Sequence, residues 1–198
     1  MEFDLTVTQQ QDRIISSFEE VEFSRKITSL NNTSGGKLLI GINEKGKVVG
    51  VYPKEELENI PIVIANFCSK SLQFTSEVFE IKNKLIVVLT IQKIAKIAIL
   101  SNDKTLEYYC RIEQITYMAN KIIEKLWSFE RDKPRDSPCS NEEQDLVLSH
   151  ANNYTLSQVY THTKLSKSVV DVTISWLLYT KKIKMTLMEN KVIYQHLS

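Results

Sequence analysis

The chain has 198 residues, of which 42% are hydrophobic and 25% charged, and its formal net charge is +1. This is the ordinary globular range, with room for one large domain or two small ones, and the near-neutral balance excludes capture of a polyanion by overall charge, so any nucleic acid must be met by a local basic patch. Cys68, Cys110 and Cys139 are too scattered for a four-ligand zinc site and fit a reducing cytosol.

Phe3 to Val7 alternates weakly and suggests a short strand. From about Thr8 the pattern turns helical: Ile14, Phe18 and Val21, then Phe23, Ile27 and Leu30, predict a long amphipathic helix up to Leu30. It ends at Asn31-Asn32-Thr33-Ser34-Gly35-Gly36, where adjacent glycines permit a tight reversal. Lys37 to Ile42 reads as a buried strand, Asn43-Glu44-Lys45-Gly46 as a turn, and Lys47 to Val51 as its hairpin partner. Glu55 to Lys70 predicts a helix interrupted by Pro61. Strands follow at Glu77–Ile81 and Leu85–Ile91 around a Lys82-Asn83 turn, then at Ile94–Leu100 and Tyr108–Ile112, and Thr116 to Trp127 closes the block as a helix. The sum is an α+β domain with a mixed or mainly antiparallel sheet over residues 1–127.

Here the residues carry a family resemblance. The run NNTSGGKLLIGINEKGKVVGV, with Tyr108-Tyr109-Cys110-Arg111-Ile112 and Met118-Ala119-Asn120 further on, resembles the Schlafen/AlbA-type domain to which DNA binding is ascribed. The resemblance marks Asn32, Thr33, Gly35 and Gly36 as the family's glycine hairpin. Those glycines read either as a reversal or as a backbone-amide nest for phosphate. Some relatives are divalent-metal ribonucleases with three carboxylates. Carried over position by position, their Glu-Phe-Lys triplet falls on Glu2-Phe3-Asp4 rather than Glu22-Phe23-Ser24, and their hairpin aspartate falls on Asn43 beside Glu44. Glu2 and Glu44 alone are a broken set for holding a hard cation and activating water, so no metal and no catalysis are expected. No GxxxxGK[ST] loop supports ATP binding, and no cofactor is expected.

Residues 128–140, SFERDKPRDSPCS, have linker composition. In residues 141–198, Ser140-Asn141-Glu142-Glu143 and Thr155-Leu156-Ser157-Gln158 are capping boxes that open two helices, and Ser166 caps a third from Lys167 to about Thr180. Ile183/Met185/Leu187 and Val192/Tyr194 alternate as a hairpin joined by Glu189-Asn190. Three helices and a hairpin resemble a winged helix-turn-helix, with Tyr160 to Ser166 as the turn. On that resemblance Lys167, Ser168, Asp171 and Ser175 would meet bases, while Lys164, Lys181, Lys182, Lys184 and Lys191 would meet phosphates. The domain has six lysines and no arginine, the residue best suited to bidentate guanine contact. His150, His162 and His196 read as incidental, and Trp127 and Trp176 as packing residues.

The expectation is a non-enzymatic DNA-binding transcriptional regulator, a homodimer acting on double-stranded DNA. The alternatives are a Schlafen-type metal-dependent nuclease and a protein-binding adaptor that uses its winged helix. Met1-Glu2-Phe3-Asp4 is acidic where a secretory signal is basic, and no apolar run approaches the ~20 residues a membrane span requires. A cytoplasmic protein that does not associate with membranes is therefore expected.

Overall fold

In the computed structural model, which describes residues 4–100 and 105–197, the chain divides into two units, Met1–Met118 and Ala119–Ser198. The architecture is α+β. No helix among the described residues is long and apolar enough to cross a membrane.

Unit 1 contains β1 (Gln11–Ile14), α1 (Glu20–Thr33), β2 (Gly36–Ile40), α2 (Pro53–Phe67), β3 (Phe74–Ile81), β4 (Lys84–Ile91), β5 (Ala98–Leu100), β6 (Leu106–Ile112) and β7 (Ile115–Met118). One sheet has the order β1-β2-β4-β3 and a second the order β5-β6-β7. The first is mixed, because β1 runs parallel to β2 while the β2–β4 and β4–β3 pairs are antiparallel. Helix α1 is buried on two faces. Phe23, Ile27 and Leu30 join Leu38, Ile40, Val87 and Leu89 in the main core. The small polar residues Ser24, Thr28 and Ser29 are also fully buried, and the Ser29 hydroxyl lies 3.3 Å from that of Thr116 on β7. Short side chains there let the second sheet come close to the helix.

Several expected elements fall differently. The long helix from Thr8 is a strand, a bend and a shorter helix. Asp12 and Ile14 point inward while Gln11 and Arg13 are partly exposed, which is the period of a strand. Phe18 and Val21, apolar positions in the helical reading, are 57% and 40% exposed. The strand form prevails because β2 has an edge for β1 to complete and because the Asp12 carboxylate finds a buried partner there. Of the strand expected at Phe3–Val7, Phe3 lies outside the described residues and residues 4–7 form no strand. Lys47–Val51 is not a hairpin partner of β2: β1 and β4 fill both edges, leaving a single Ile42–Val48 bridge. Pro61 does not interrupt α2; it is exposed, so its missing N–H lies on the solvent side. Of Ile94–Leu100 only the last three residues form a strand. Thr116–Met118 belongs to β7, which follows a reversal at Glu113 with φ 50°.

Unit 2 contains α3 (Lys121–Asp132), α4 (Asn141–His150), β8 (Asn152–Thr155), α5 (Leu156–Thr163), α6 (Lys167–Tyr179), β9 (Ile183–Met188) and β10 (Lys191–His196). Helix α3 is capped by the Asn120 side chain, which accepts from the N–H groups of Ile122 and Ile123. It runs through the first five residues of the expected linker, so the boundary between units precedes that segment. Both capping boxes form, at Ser140/Glu143 and Thr155/Gln158. The antiparallel sheet has the order β8-β10-β9, and β8 was not expected. Val147, Val159, Val170, Ile174, Leu177, Ile183 and Tyr194 form the core with Ile122 of α3.

Candidate nucleic-acid interface

The Asn-Asn-Thr-Ser-Gly-Gly segment holds the fold together. Asn32 is fully buried. Its Nδ2 donates to the carbonyls of Ile97 and Tyr109 at 2.7 and 2.9 Å, and its Oδ1 accepts from the Ile97 N–H at 2.8 Å. Asn31 binds the Ala95 carbonyl and the Ile94 N–H. Together they keep residues 94–97 out of a strand. The Thr33 hydroxyl accepts from the Arg111 N–H at 2.7 Å. Gly35 and Gly36 have φ of 77° and 148°, and a Cβ would lie 2.7 Å from the Ile91 carbonyl oxygen or 2.2 Å from that of Gln10. Close backbone packing demands both glycines, and the Lys37 N–H is already bound to the Gln10 carbonyl.

The nuclease resemblance points to the N-terminal residues and to the turn after β2. Glu2 and Phe3 lie outside the described residues, and Asp4 is exposed, its carboxyl held below the usual range by the Thr6 N–H. Glu22-Phe23-Ser24 lies in the first turns of α1. Asn43 accepts from the Lys45 and Lys47 N–H groups and shapes the turn. Glu44 is exposed and lines an open cleft of about 350 Å³ with Arg13, Glu19, Glu22 and Lys26. Among the described residues no three His, Cys, Asp or Glu side chains are grouped to hold a metal ion.

The strand leading toward α1 carries Asp12, which the sequence reading missed. It is 3% exposed, like Arg111 of β6, and the two form a buried salt bridge, with Lys26 at 3.3 Å from the other carboxylate oxygen. Arg111 also donates to the Thr8 carbonyl and the Thr116 hydroxyl. Burial lowers the guanidinium pKa, and the charge and hydrogen bond of Asp12 oppose that shift. An arginine inside the apolar run Tyr109–Ile112 was the available signal, because a buried charge needs a partner. Burial also pushes the Cys68 and Cys110 thiols up to about 12, so neither is a nucleophile near neutrality.

In unit 2 the expected contact residues separate into two groups. Lys164, Lys167, Ser168, Lys181, Lys182, Lys184 and Lys191 are exposed. Lys164 ends α5 in the left-handed conformation, at φ 56°. Lys167 opens α6 with its ammonium 5.7 Å from the Tyr160 ring centre. The Tyr160 hydroxyl donates to Asp171, and burial, then this hydrogen bond and the Asp171 charge, raise the phenol pKa. Lys182 donates to Gln144 of α4 at 3.2 Å. On the hairpin Met188 is opposite Lys191 and Thr186 opposite Ile193. Lys184, Thr186, Met188 and Lys191 therefore share one face, while Ile183, Met185 and Tyr194 turn to the helical core.

Ser175 is a correction. It is fully buried, and its hydroxyl donates to the Ile122 carbonyl of α3 at 2.9 Å and to the Asp171 carbonyl at 2.6 Å. Residues 173–177 of α6 are all buried. Phe129 and Cys139 pack against Trp176, with Val172 and Tyr179 beside them, and the Phe129 and Trp176 rings meet edge-on at 5.7 Å. Only the first turn of α6 remains open. The sequence signal for this was an apolar helix without a polar stripe, which is the mark of burial on all sides.

Two of the solved structures that resemble the chain can be named. One is the DIP2311 protein of Corynebacterium diphtheriae (TM-score 0.45, 12% identity, 68% of this chain and 29% of that one). The other is the N-terminal domain of an ATP-dependent DNA helicase RecG-related protein of Nitrosomonas europaea (TM-score 0.34, 19% identity, 43% of this chain and 63% of that one). The chain thus spans less than two thirds of either. No curated protein matches it. The family model described as Schlafen, AlbA_2 matches residues 4–120, more than half of the sequence, and the chain belongs to that family.

Proposed function

We propose that the protein is a non-catalytic nucleic-acid-binding protein that meets double-stranded DNA through unit 2, as a transcriptional regulator working in pairs. The observation that carries this is the outer face of the β9–β10 hairpin, where Lys184 and Lys191 stand on the side turned away from the core. The order α4-β8-α5-α6-β9-β10 with sheet order β8-β10-β9 supports reading unit 2 as a winged helix-turn-helix, with β9–β10 in the role of the wing. Membership of the Schlafen, AlbA_2 family supports a nucleic-acid role.

The packing of α6 narrows the mode of contact. With its later turns enclosed, base edges are within reach only of the first turn, chiefly Lys167 and Ser168. Asp171 is engaged by Tyr160. Phosphate contact therefore dominates, and binding is strongly salt-dependent with little sequence preference. The non-catalytic reading is supported by Asn43, which stands where the nuclease resemblance puts an aspartate and whose side-chain oxygen is engaged by the Lys45 and Lys47 N–H groups.

Changing Lys182, Lys184 and Lys191 together to Ala should weaken binding to every duplex and flatten the plot of log affinity against log salt by about 2 to 3 units, since each phosphate contact contributes about 0.9. An unchanged slope removes the hairpin from the interface. Retention of a protein partner with no duplex bound at low salt favours the adaptor reading. Cleavage of labelled RNA with Mn²⁺ that is lost in Glu44→Ala favours the nuclease.

A further inference from the structure

The open edge of the four-stranded sheet in unit 1 has a feature that the nucleic-acid reading does not use. Strand β3 is terminal in that sheet and pairs residue for residue with β4, from Phe74–Ile91 to Ile81–Lys84, without a bulge. The hairpin is closed by Lys82 and Asn83, with φ of 52° and 58°. A two-residue turn of this kind makes the flanking Ile81–Lys84 pair hydrogen-bonded, so the odd-numbered residues of β3 direct their N–H and C=O groups toward β4. The Gln73 carbonyl fits this alternation, accepting from the Gln92 N–H at 3.0 Å. Ser76, Val78 and Glu80 consequently direct their backbone groups outward, where no strand pairs with them among the described residues.

Proteins usually blunt such an edge with lysine, proline, a bulge or a covering element. From Phe74 to Ile81, β3 has no lysine, no proline and no bulge; its charges are Glu77 and Glu80, and Val78 between them is 46% exposed. We infer that β3 pairs with β3 of a second copy, antiparallel about a two-fold axis at Val78, joining two four-stranded sheets into one.

The register follows from the sequence of the strand. Antiparallel partners must both direct their groups at each other, which forbids the full-length pairing of Glu77 against Val78. Two near-full registers remain. One is centred on Glu77 and sets Glu77 against its own copy, which like-charge repulsion disfavours. The other is centred on Val78. It sets Val78 against Val78, Ser76 against Glu80, Glu77 against Phe79 and Thr75 against Ile81, so no carboxylate faces another. The inference deepens the pairing named in the proposed function and rests on that reading for the pairing alone; failure of duplex binding leaves it standing.

Sedimentation equilibrium of the full chain over a range of loading concentrations tests it. The parent chain should show a monomer–dimer equilibrium. Val78→Pro removes an N–H that points outward, not one of the β3–β4 bonds, and should abolish the dimer with the circular dichroism spectrum kept. Ser76→Lys sets a lysine against Glu80 of the partner twice per dimer and should tighten association severalfold. Mild oxidation of Val78→Cys should give a disulfide-linked dimer absent from the parent chain, a readout that survives if the proline variant misfolds. A parent chain that stays monomeric at every concentration overturns the inference, even if it captures a strand from an unrelated protein. So does a dimer that tolerates Val78→Pro while Val78→Cys fails to link, or one weakened by Ser76→Lys.

Discussion

The two units hold their central helix by different means. In unit 1, α1 is fixed on one side by apolar packing and on the other by buried polar groups: Asn31 and Asn32 on the 94–97 segment, Thr33 on β6, and the Asp12–Arg111 pair joining β1 to β6. In unit 2, α6 is enclosed chiefly by apolar side chains, with Ile122 and Phe129 of α3 among them. The lesson is that burial and hydrophobicity can part company. A helix face of Ser, Thr and Asn is as deeply buried as one of Val, Ile and Leu when most of its polar groups meet partners, the Ser24 hydroxyl being an exception on α1.

Both tryptophans, Trp127 and Trp176, lie in unit 2. Their fluorescence therefore reports that unit, while far-ultraviolet circular dichroism reports both, and the contrast between the units can be tested directly. The largest effect is expected for Arg111→Met, which takes away the buried guanidinium partner of Asp12 and leaves it Lys26 alone among cations, and should destabilise unit 1 by up to about 3–5 kcal/mol. The dichroism transition in urea should split, with the tryptophan transition unmoved; if both probes shift together, the units are energetically one. Adding Asp12→Leu to that variant should recover most of the loss. Next comes Ile174→Ala, which opens a cavity at the centre of unit 2 and should lower the tryptophan transition by about 2–5 kcal/mol, leaving the slow native-state alkylation of Cys110 in unit 1 unchanged. The smallest is Ser140→Ala, which removes one half of the first capping box and should cost about 1 kcal/mol, read again by tryptophan fluorescence. Equal shifts for Ser140→Ala and Ile174→Ala would mean that capping, not the apolar centre, limits the unit.

The same contrast explains what the sequence disclosed. The elements of unit 2 were legible where hydrophobic period and capping chemistry coincided. Ser140, Thr155 and Ser166 start helices as their spacing requires, and the alternation at 183–187 and 192–194 marks the hairpin. Unit 1 was legible at β2, β3, β4 and β6, which are apolar or bounded by turns. It misled at β1, where Ile14, Phe18 and Val21 match a helical period by coincidence and the decisive residue is the acid Asp12. It misled again at β7, where Thr116 to Met118 reads as the start of the closing helix. Of the candidate contact residues the lysines are exposed, since a lone ammonium is rarely buried, whereas Ser175 is enclosed, and a serine inside an apolar helix gives no sign of which neighbour covers it. The family segment was legible as a motif, and its structural role as a clamp came from Asn32 reaching residues about seventy positions away.

The enclosure of α6 also has a practical consequence for anyone dissecting the protein. A cut in the proline-bearing stretch 133–140 looks natural, but a fragment beginning at Asn141 would leave behind both α3 and Cys139, baring the side of Trp176 that meets Phe129. Such a fragment should be sticky and poorly behaved whatever its ligand, whereas one starting at Ala119 keeps its own wrapping.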